Sequence, residues 1–305
     1  MRGDLGEKVS GIVPRICLAA AFVFTAAAMP VSAEPQRKGG SKKPAPLPAA
    51  TFDSVSYGSH AKQCLDVYLP QGAKSPVPAV IYIHGGGFRI GGRKDSGFAA
   101  AYPRYKAAGL AVISVEYRYL SEVGDVKPPV KGCIDDVFAA IRLVKSKAKE
   151  WNIDINRIGL AGGSAGAHSS LCAALTDDNA FGIRAVFAHR PQTSMDPVEM
   201  QSWIPNSRYG HRLFGYRSFA VWKAHRDDCL PWIEKFSPVA LLVKSDVAKM
   251  PVVICAGRKS PQAGEKEPDP THGGMFIEKF LNKAKQLGAP CRRGSMKDFI
   301  KGLKE

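Results

Sequence analysis

One serine lies at the centre of a glycine-rich turn. The segment Gly162-Gly163-Ser164-Ala165-Gly166 fits the pattern G-x-S-x-G and directly follows an apolar run that ends at Ala161. Residues 165–175 after it have a helix-like composition. A serine on a sharp strand-to-helix turn exposes its hydroxyl, and the glycines allow the tight approach of the backbone. The motif therefore predicts a nucleophilic Ser164, although glycine-rich turns after strands also bind phosphate.

A triple-glycine segment follows another apolar run. His84-Gly85-Gly86-Gly87-Phe88 comes directly after residues 79–83. Successive glycines can present backbone N–H groups to an oxyanion without obstruction by side chains, and the N–H of Ala165 would complete the hole. The alternative is a flexible loop. Two such motifs, each at the end of a predicted strand, favour acyl transfer through a tetrahedral intermediate.

The elements that must position these motifs follow an alternating pattern. Short apolar runs, typical of buried strands, occupy residues 65–69, 79–83, 110–115, 158–161, 185–188 and 252–256. Helical periodicity extends from Pro128-Pro129 to about Lys149 and from about Gly273 to Leu287. This alternation predicts an α/β fold with a mostly parallel central sheet flanked by helices.

One long segment interrupts the alternation. Residues 190–249 contain three of the four tryptophans, Trp203, Trp222 and Trp232, and no clear strand. We interpret the segment as a helical cap inserted at the carboxyl edge of the sheet, where α/β proteins bind ligands. A packed helical excursion without ligand contact is the alternative.

Together these motifs resemble an α/β-hydrolase-fold esterase of the hormone-sensitive-lipase-like group, in its bacterial feruloyl/acetyl-xylan (BD-FAE-like) branch. The resemblance extends from about residue 52 to 290. It is carried by the segments DVYLP at 66–70, HGGGF at 84–88, EYRY at 116–119, Asp136 and GGSAGAH at 162–168. It implies that Ser164 is the nucleophile, that Gly86, Gly87 and Ala165 form the oxyanion hole, and that His84 and Tyr117-Arg118 are structural. It implies no cofactor.

The acid of the expected triad is assigned to Asp269. This residue matches the Asp-Pro position of the family just before a helix, in the segment Glu267-Pro268-Asp269-Pro270-Thr271-His272. The alternative is that Asp269 caps the helix.

The base is harder to place. The family carries its histidine after the last strand, but only 17 residues follow Gly288, and no histidine lies beyond His272. The sequence thus predicts that the last strand and its His loop are missing. His189, at the end of a predicted strand, is our candidate for the base. Each histidine that could serve as the base also has a non-catalytic interpretation. These are a core role for His168, capping or surface placement for His272, and a cap-anchoring role for His189.

These assignments predict a serine carboxylic-ester hydrolase, and the resemblance implies short acyl esters as substrates, with acetyl or feruloyl groups on polysaccharide as candidates. The alternative is a catalytically impaired binding protein, because serine without a base is a poor nucleophile. The sequence has no C-x-x-C and no zinc-spaced His/Cys cluster, so no metal is expected. The expected partner is a small-molecule or polysaccharide ester.

Composition and the N-terminal residues set the context. The 305 residues are 45% hydrophobic and 23% charged, which excludes a disordered or coiled-coil chain. Residues 1–33 have the pattern of a secretory signal peptide. Residues 34–50 are predicted to be a linker, and residues 51–305 to be the hydrolase domain. Export to the periplasm or medium is expected, with no membrane span after cleavage.

The chain has a net charge of +16. Its basic residues are scattered along the sequence, so no nucleic-acid partner is expected. Six cysteines beyond the leader permit disulfides without fixing their pairing.

Overall fold

The computed structural model describes residues 44–262 and 265–305. The predicted signal peptide, residues 1–33, lies outside the described residues, as does the first part of the predicted linker, residues 34–43. At the described end of that linker, Leu47 and Ala50 pack against the hydrophobic core of the domain.

Eight strands form one sheet in the described part of the chain, in the order β1-β2-β4-β3-β5-β6-β7-β8. The strands are β1 (Phe52–Ser56), β2 (Cys64–Tyr68), β3 (Val77–Ile83), β4 (Ala111–Val115), β5 (Ile153–Gly163), β6 (Ala185–His189), β7 (Val252–Ala256) and β8 (Cys291–Arg293). Strand β2 is antiparallel to both of its neighbours, and the other pairs are parallel. The predicted mostly parallel α/β sheet is confirmed.

Nine α-helices accompany this sheet within residues 44–262 and 265–305. They are α1 (Ser96–Ala107), α2 (Pro129–Ser146), α3 (Ala165–Leu175), α4 (Pro197–Trp203), α5 (Phe219–Ala224), α6 (Arg226–Phe236), α7 (Pro238–Lys244), α8 (Gly274–Leu287) and α9 (Met296–Lys304). Short 3₁₀ turns span Thr176–Asp178, His211–Phe214 and Val247–Lys249.

The central strands are buried on both faces. In β3, the side chain of Val80 joins the core beneath α1 and α9, whereas that of Ile81 joins the core beneath α2, α3 and α8. Successive side chains of a strand point to opposite faces, so a strand covered on both sides must be apolar throughout. This explains why continuous apolar runs predicted the central strands.

The predicted cap segment is helical. Residues 190–249 are all described, and they contain α4 to α7, two of the 3₁₀ turns and no strand. The side chain of Trp222 is fully buried, and Arg226 of α6 pairs with Asp196 at the start of α4. The segment is therefore a packed unit, as both sequence interpretations require.

The C-terminal region corrects one prediction. A last strand, β8, is present and pairs in parallel with β7, with Cys291 opposite Val253. Its sequence, Cys-Arg-Arg, is too short and polar to give a strand signal. Only Gly294 and Ser295 separate β8 from α9, so this connection carries no histidine.

Two further features concern the whole described region. The six cysteines from Cys64 onward are free thiols, so the disulfides that the sequence permits are not formed. None of the helices within the described ranges is long and apolar enough to span a membrane.

Candidate active site

Ser164 lies on a strained turn between β5 and α3. Its backbone has a φ of 53° and a ψ of −120°, a region that residues with a side chain rarely adopt. The turn depends on close backbone approach: a Cβ on Gly166 would overlap the carbonyl oxygen of Ile83 at the end of β3. Such strain costs about 1–3 kcal/mol and persists only where the surroundings enforce it.

This strain predicts a stability difference between two substitutions. Ser164→Gly should be more stable to unfolding than Ser164→Ala by about 1–2 kcal/mol, because glycine adopts a positive φ without steric cost. Urea unfolding of both variants measures the difference. Equal stabilities would show that the turn is not strained.

A histidine on the loop after β7 reaches the serine. The His272 Nε2 lies 2.9 Å from the Ser164 Oγ. Its Nδ1 lies 3.1 and 3.2 Å from the two carboxylate oxygens of Asp269. Since Asp269 can only accept from a protonated Nδ1, the Nε2 is left free to accept the serine proton. Serine, imidazole and carboxylate thus form one hydrogen-bonded chain.

The geometry corrects the expectation for His189. This residue ends β6, and its backbone carbonyl accepts a hydrogen bond from the Ser164 N–H at 2.9 Å. Its imidazole forms no hydrogen bond with Ser164, because alternation along β6 directs it, like the side chain of Phe187, toward the α1 side of the sheet. Burial, followed by the charges of Arg190 and His272, lowers the pKa of His189.

The expectation for His272 also changes. A capping or surface role was expected, but Gly273 occupies the N-cap of α8 and His272 is directed at the serine. A tight turn, with the His272 N–H donating to the Asp269 carbonyl at 3.0 Å, brings the two side chains together. The spacing Asp-Pro-Thr-His was the available signal for this pair.

The triple-glycine segment lies beside the serine turn. A Cβ on Gly85 would lie 3.5 Å from the Cβ of Ser164. The next three residues, Gly86, Gly87 and Phe88, have φ values of 105°, 61° and 60°. Residue Ala165, at the first turn of α3, is fully buried directly after the serine. The segments predicted to form the oxyanion hole are therefore adjacent to Ser164.

Buried polar contacts hold this segment in place. The Tyr117 hydroxyl donates to the His84 carbonyl at 3.0 Å, and the two rings stack at 4.2 Å between centroids. Next to Tyr117, the guanidinium of Arg118 donates to both carboxylate oxygens of Asp136. The expectation that His84 and Tyr117-Arg118 are structural agrees with these contacts.

The predicted core position of His168 is confirmed, since the side chain is 2% exposed. Its Nδ1 lies 2.8 Å from the backbone carbonyl of Gln192, and burial lowers its pKa from 6.5 to about 4. It lies one helical turn after Ser164, beneath the site.

This buried imidazole predicts an acid-dependent loss of stability. The folded pKa lies below the unfolded value, so the unfolded chain binds the proton first as the pH falls. Between pH 7 and pH 4.5, His168 should lower the free energy of unfolding by about 2–3 kcal/mol. His168→Gln keeps an N–H donor but cannot titrate. Urea unfolding at both pH values should show a smaller loss for this variant; an identical loss would contradict the assignment.

Within residues 44–262 and 265–305, no group of three or more His, Cys, Asp or Glu side chains could hold an ion.

Part of the chain is similar in sequence to known esterases and to a formamidase. Residues 65–204 match the family model BD-FAE. The carboxylesterase NlhH of Mycobacterium tuberculosis is 36% identical over 117 residues, which are 38% of this chain and 35% of that protein. A kynurenine formamidase of Salmo salar is 32% identical over 135 residues, 44% of this chain and 42% of that protein. The matches thus span less than half of these relatives.

Solved structures extend the likeness to the whole fold. A truncated carbohydrate esterase from gut microbiota has a TM-score of 0.64 at 20% identity, covering 88% of this chain and 99% of that one. Thermogutta terrifontis esterase 2 has a TM-score of 0.59 at 19% identity, with 83% and 85% covered. Residues 65–204 of this chain therefore match the BD-FAE family model, and the chain has the α/β-hydrolase fold.

Proposed function

We propose that this protein is a serine carboxylic-ester hydrolase that acts on short acyl esters. The observation that carries the proposal is the hydrogen-bonded chain of Ser164, His272 and Asp269, with 2.9 Å between hydroxyl and imidazole and 3.1 Å between imidazole and carboxylate. The adjacent triple-glycine segment supplies candidate donors for the oxyanion.

Each group has a defined role at each step of the proposed reaction. The Ser164 Oγ attacks the ester carbonyl carbon while its proton passes to the His272 Nε2. The N–H groups of Gly86, Gly87 and Ala165 stabilise the oxyanion, an effect worth about 3–4 kcal/mol per donor in comparable sites. The C–O bond to the alcohol then breaks, and the alcohol leaves with the proton from His272.

Water completes the cycle. It attacks the acyl-serine as His272 takes its proton, the acid leaves, and the proton returns to Ser164. Asp269 keeps the imidazole in the tautomer with a protonated Nδ1 and stabilises the imidazolium.

The alternative of a binding protein without turnover was based on a missing base. The position of His272 removes that reason, because an imidazole in contact with the serine is what activates the hydroxyl. The hydrolase is therefore the better supported of the two functions.

Acetyl or feruloyl groups on polysaccharide are the substrates we propose within this class. The BD-FAE match and the likeness to a carbohydrate esterase support this choice. Export is proposed with it, on the pattern of residues 1–33; a secreted product whose N-terminus is Glu34 would support it, and an uncleaved cytoplasmic product would contradict it.

Hydrolysis of p-nitrophenyl acetate tests the function. The wild-type protein should release p-nitrophenol with saturation kinetics, and Ser164→Ala should reduce the rate nearly to the background. Ser146→Ala, on the exposed face of α2, is the matched control and should keep full activity. Equal rates for wild type and Ser164→Ala would contradict the proposal.

A further inference from the structure

The side chain of Gln192 connects the nucleophile turn to the loop that carries the imidazole. Its Nε2 lies 2.6 Å from the carbonyl oxygen of Thr271, the residue before His272. The same Nε2 lies 3.5 Å from the Ser164 Oγ. Gln192 is 1% exposed, so these contacts are shielded from water.

We propose that Gln192 is a positioning residue for the general base: it holds the His272 loop at the distance from Ser164 that proton transfer requires. The proposal rests on the proposed function, because it concerns the same serine and imidazole. It assigns to a glutamine in the first residues after β6 a role that no motif in the sequence indicates.

The contacts close into a ring. The His168 N–H donates to the Ser164 carbonyl at 2.9 Å within α3. The His168 Nδ1 lies 2.8 Å from the Gln192 carbonyl oxygen, and burial keeps that imidazole neutral at pH 7 by lowering its pKa to about 4. From Gln192 the ring continues to Thr271, then through His272 back to the Ser164 hydroxyl.

The loop requires such support because it lies outside the sheet. His272 precedes α8 by two residues and is sixteen residues beyond the end of β7. Close to His272, side chains from outside the loop also contact Asp269 and Glu267: Arg190 lies 3.8 Å from the Asp269 carboxylate, and Asn206 donates to the Glu267 carbonyl at 3.0 Å. Among the residues that the structure describes, only Gln192 makes a side-chain hydrogen bond to a residue adjacent to His272.

The amide orientation follows from its neighbours. The two hydrogens of Nε2 can serve two acceptors, the Thr271 carbonyl and the serine hydroxyl. A flipped amide would place Oε1 against the Thr271 carbonyl, where neither atom can donate. Glutamate at this position would place a carboxylate oxygen against the Thr271 carbonyl in either orientation. Methionine removes the donor and keeps the length of the side chain.

Steady-state kinetics of Gln192→Met and Gln192→Glu with p-nitrophenyl acetate test the role. We expect kcat to fall by about 10–100-fold, since a displacement near 1 Å at a reacting group has effects of this order. KM should stay within about threefold, because the donors that bind the ester are not touched. Gln286→Met, on the exposed face of α8, is the matched control and should keep the wild-type kcat.

A double substitution separates positioning from a general structural effect. When His272→Ala has removed the base, Gln192→Met should lower the residual rate by less than about twofold, since its action passes through the imidazole. A residual rate that falls as far as it does in the wild-type background would overturn the proposal. An unchanged kcat in both single variants would overturn it as well.

The outcomes also distinguish this proposal from the proposed function. An active wild type that depends on Ser164 and His272 but is insensitive to Gln192 rejects only the positioning role. A protein without Ser164-dependent turnover rejects the hydrolase function itself. Thermal unfolding of each variant accompanies the kinetics, and a variant that unfolds at the assay temperature is replaced by Gln192→Leu, with the same expected result.

Discussion

His272→Ala is expected to lower kcat/KM for p-nitrophenyl acetate by about 10⁴–10⁶-fold. Without the imidazole that lies 2.9 Å from its oxygen, the Ser164 hydroxyl has no group to take its proton at neutral pH. Loss of one triad member leaves only the catalysis due to binding and the oxyanion hole. Initial rates at substrate concentrations well below KM measure the effect.

His189→Ala is the matched control for this experiment. His189 is the last residue of β6, and His272 lies on the loop after β7. The His189 side chain makes no hydrogen bond to Ser164, and its contribution to the turn comes from its backbone carbonyl. We expect its kcat/KM to stay within about threefold of wild type. The reverse result, a large loss for His189→Ala and a small one for His272→Ala, would contradict the assignment of the base.

Gly86→Ala is expected to lower kcat by about 10²–10³-fold. Gly86 has a φ of 105°, and a Cβ at this position would overlap the carbonyl oxygen of Ile90. The segment must therefore move, which displaces the N–H groups proposed to stabilise the oxyanion. The loss should fall on kcat more than on KM, because the oxyanion exists only in the transition state and intermediate.

Gly87→Ala provides the comparison. Its φ is 61°, but a Cβ would meet no atom within 4 Å, so only the left-handed backbone cost of about 1–2 kcal/mol applies. This variant should keep much more activity than Gly86→Ala. Equal kcat values for the two variants, with both folded by circular dichroism, would contradict the role of the segment's geometry.

The fold could be predicted because its central strands and the serine turn have strong local signals. The buried segments of strands β3 to β7 are covered on both faces and therefore appear as continuous apolar runs, and G-x-S-x-G predicts a sharp strand-to-helix turn. The edge strands gave weaker signals. The strand β1 is largely exposed, and β8 contains two arginines in three residues.

The base could not be predicted because its distance from Ser164 depends on how distant parts of the chain pack together, and a local sequence segment does not specify this. His189 was favoured since it ends a strand next to the serine strand, but alternation along β6 turns its side chain away. His272 reaches the serine from a loop without strand or helix periodicity, so its position depends on tertiary contacts such as that of Gln192 with Thr271. Asp269, in contrast, is assigned from its match to the Asp-Pro position of the family that the sequence resembles.

Covalent labelling with a p-nitrophenyl alkylphosphonate tests the central claim most directly. The account predicts that p-nitrophenol is released once per protein molecule, that peptide mass spectrometry locates the phosphonyl group on Ser164, and that His272→Ala is labelled at least about 10³-fold more slowly. Labelling of another residue, or an equal rate in His272→Ala, would contradict an activated Ser164.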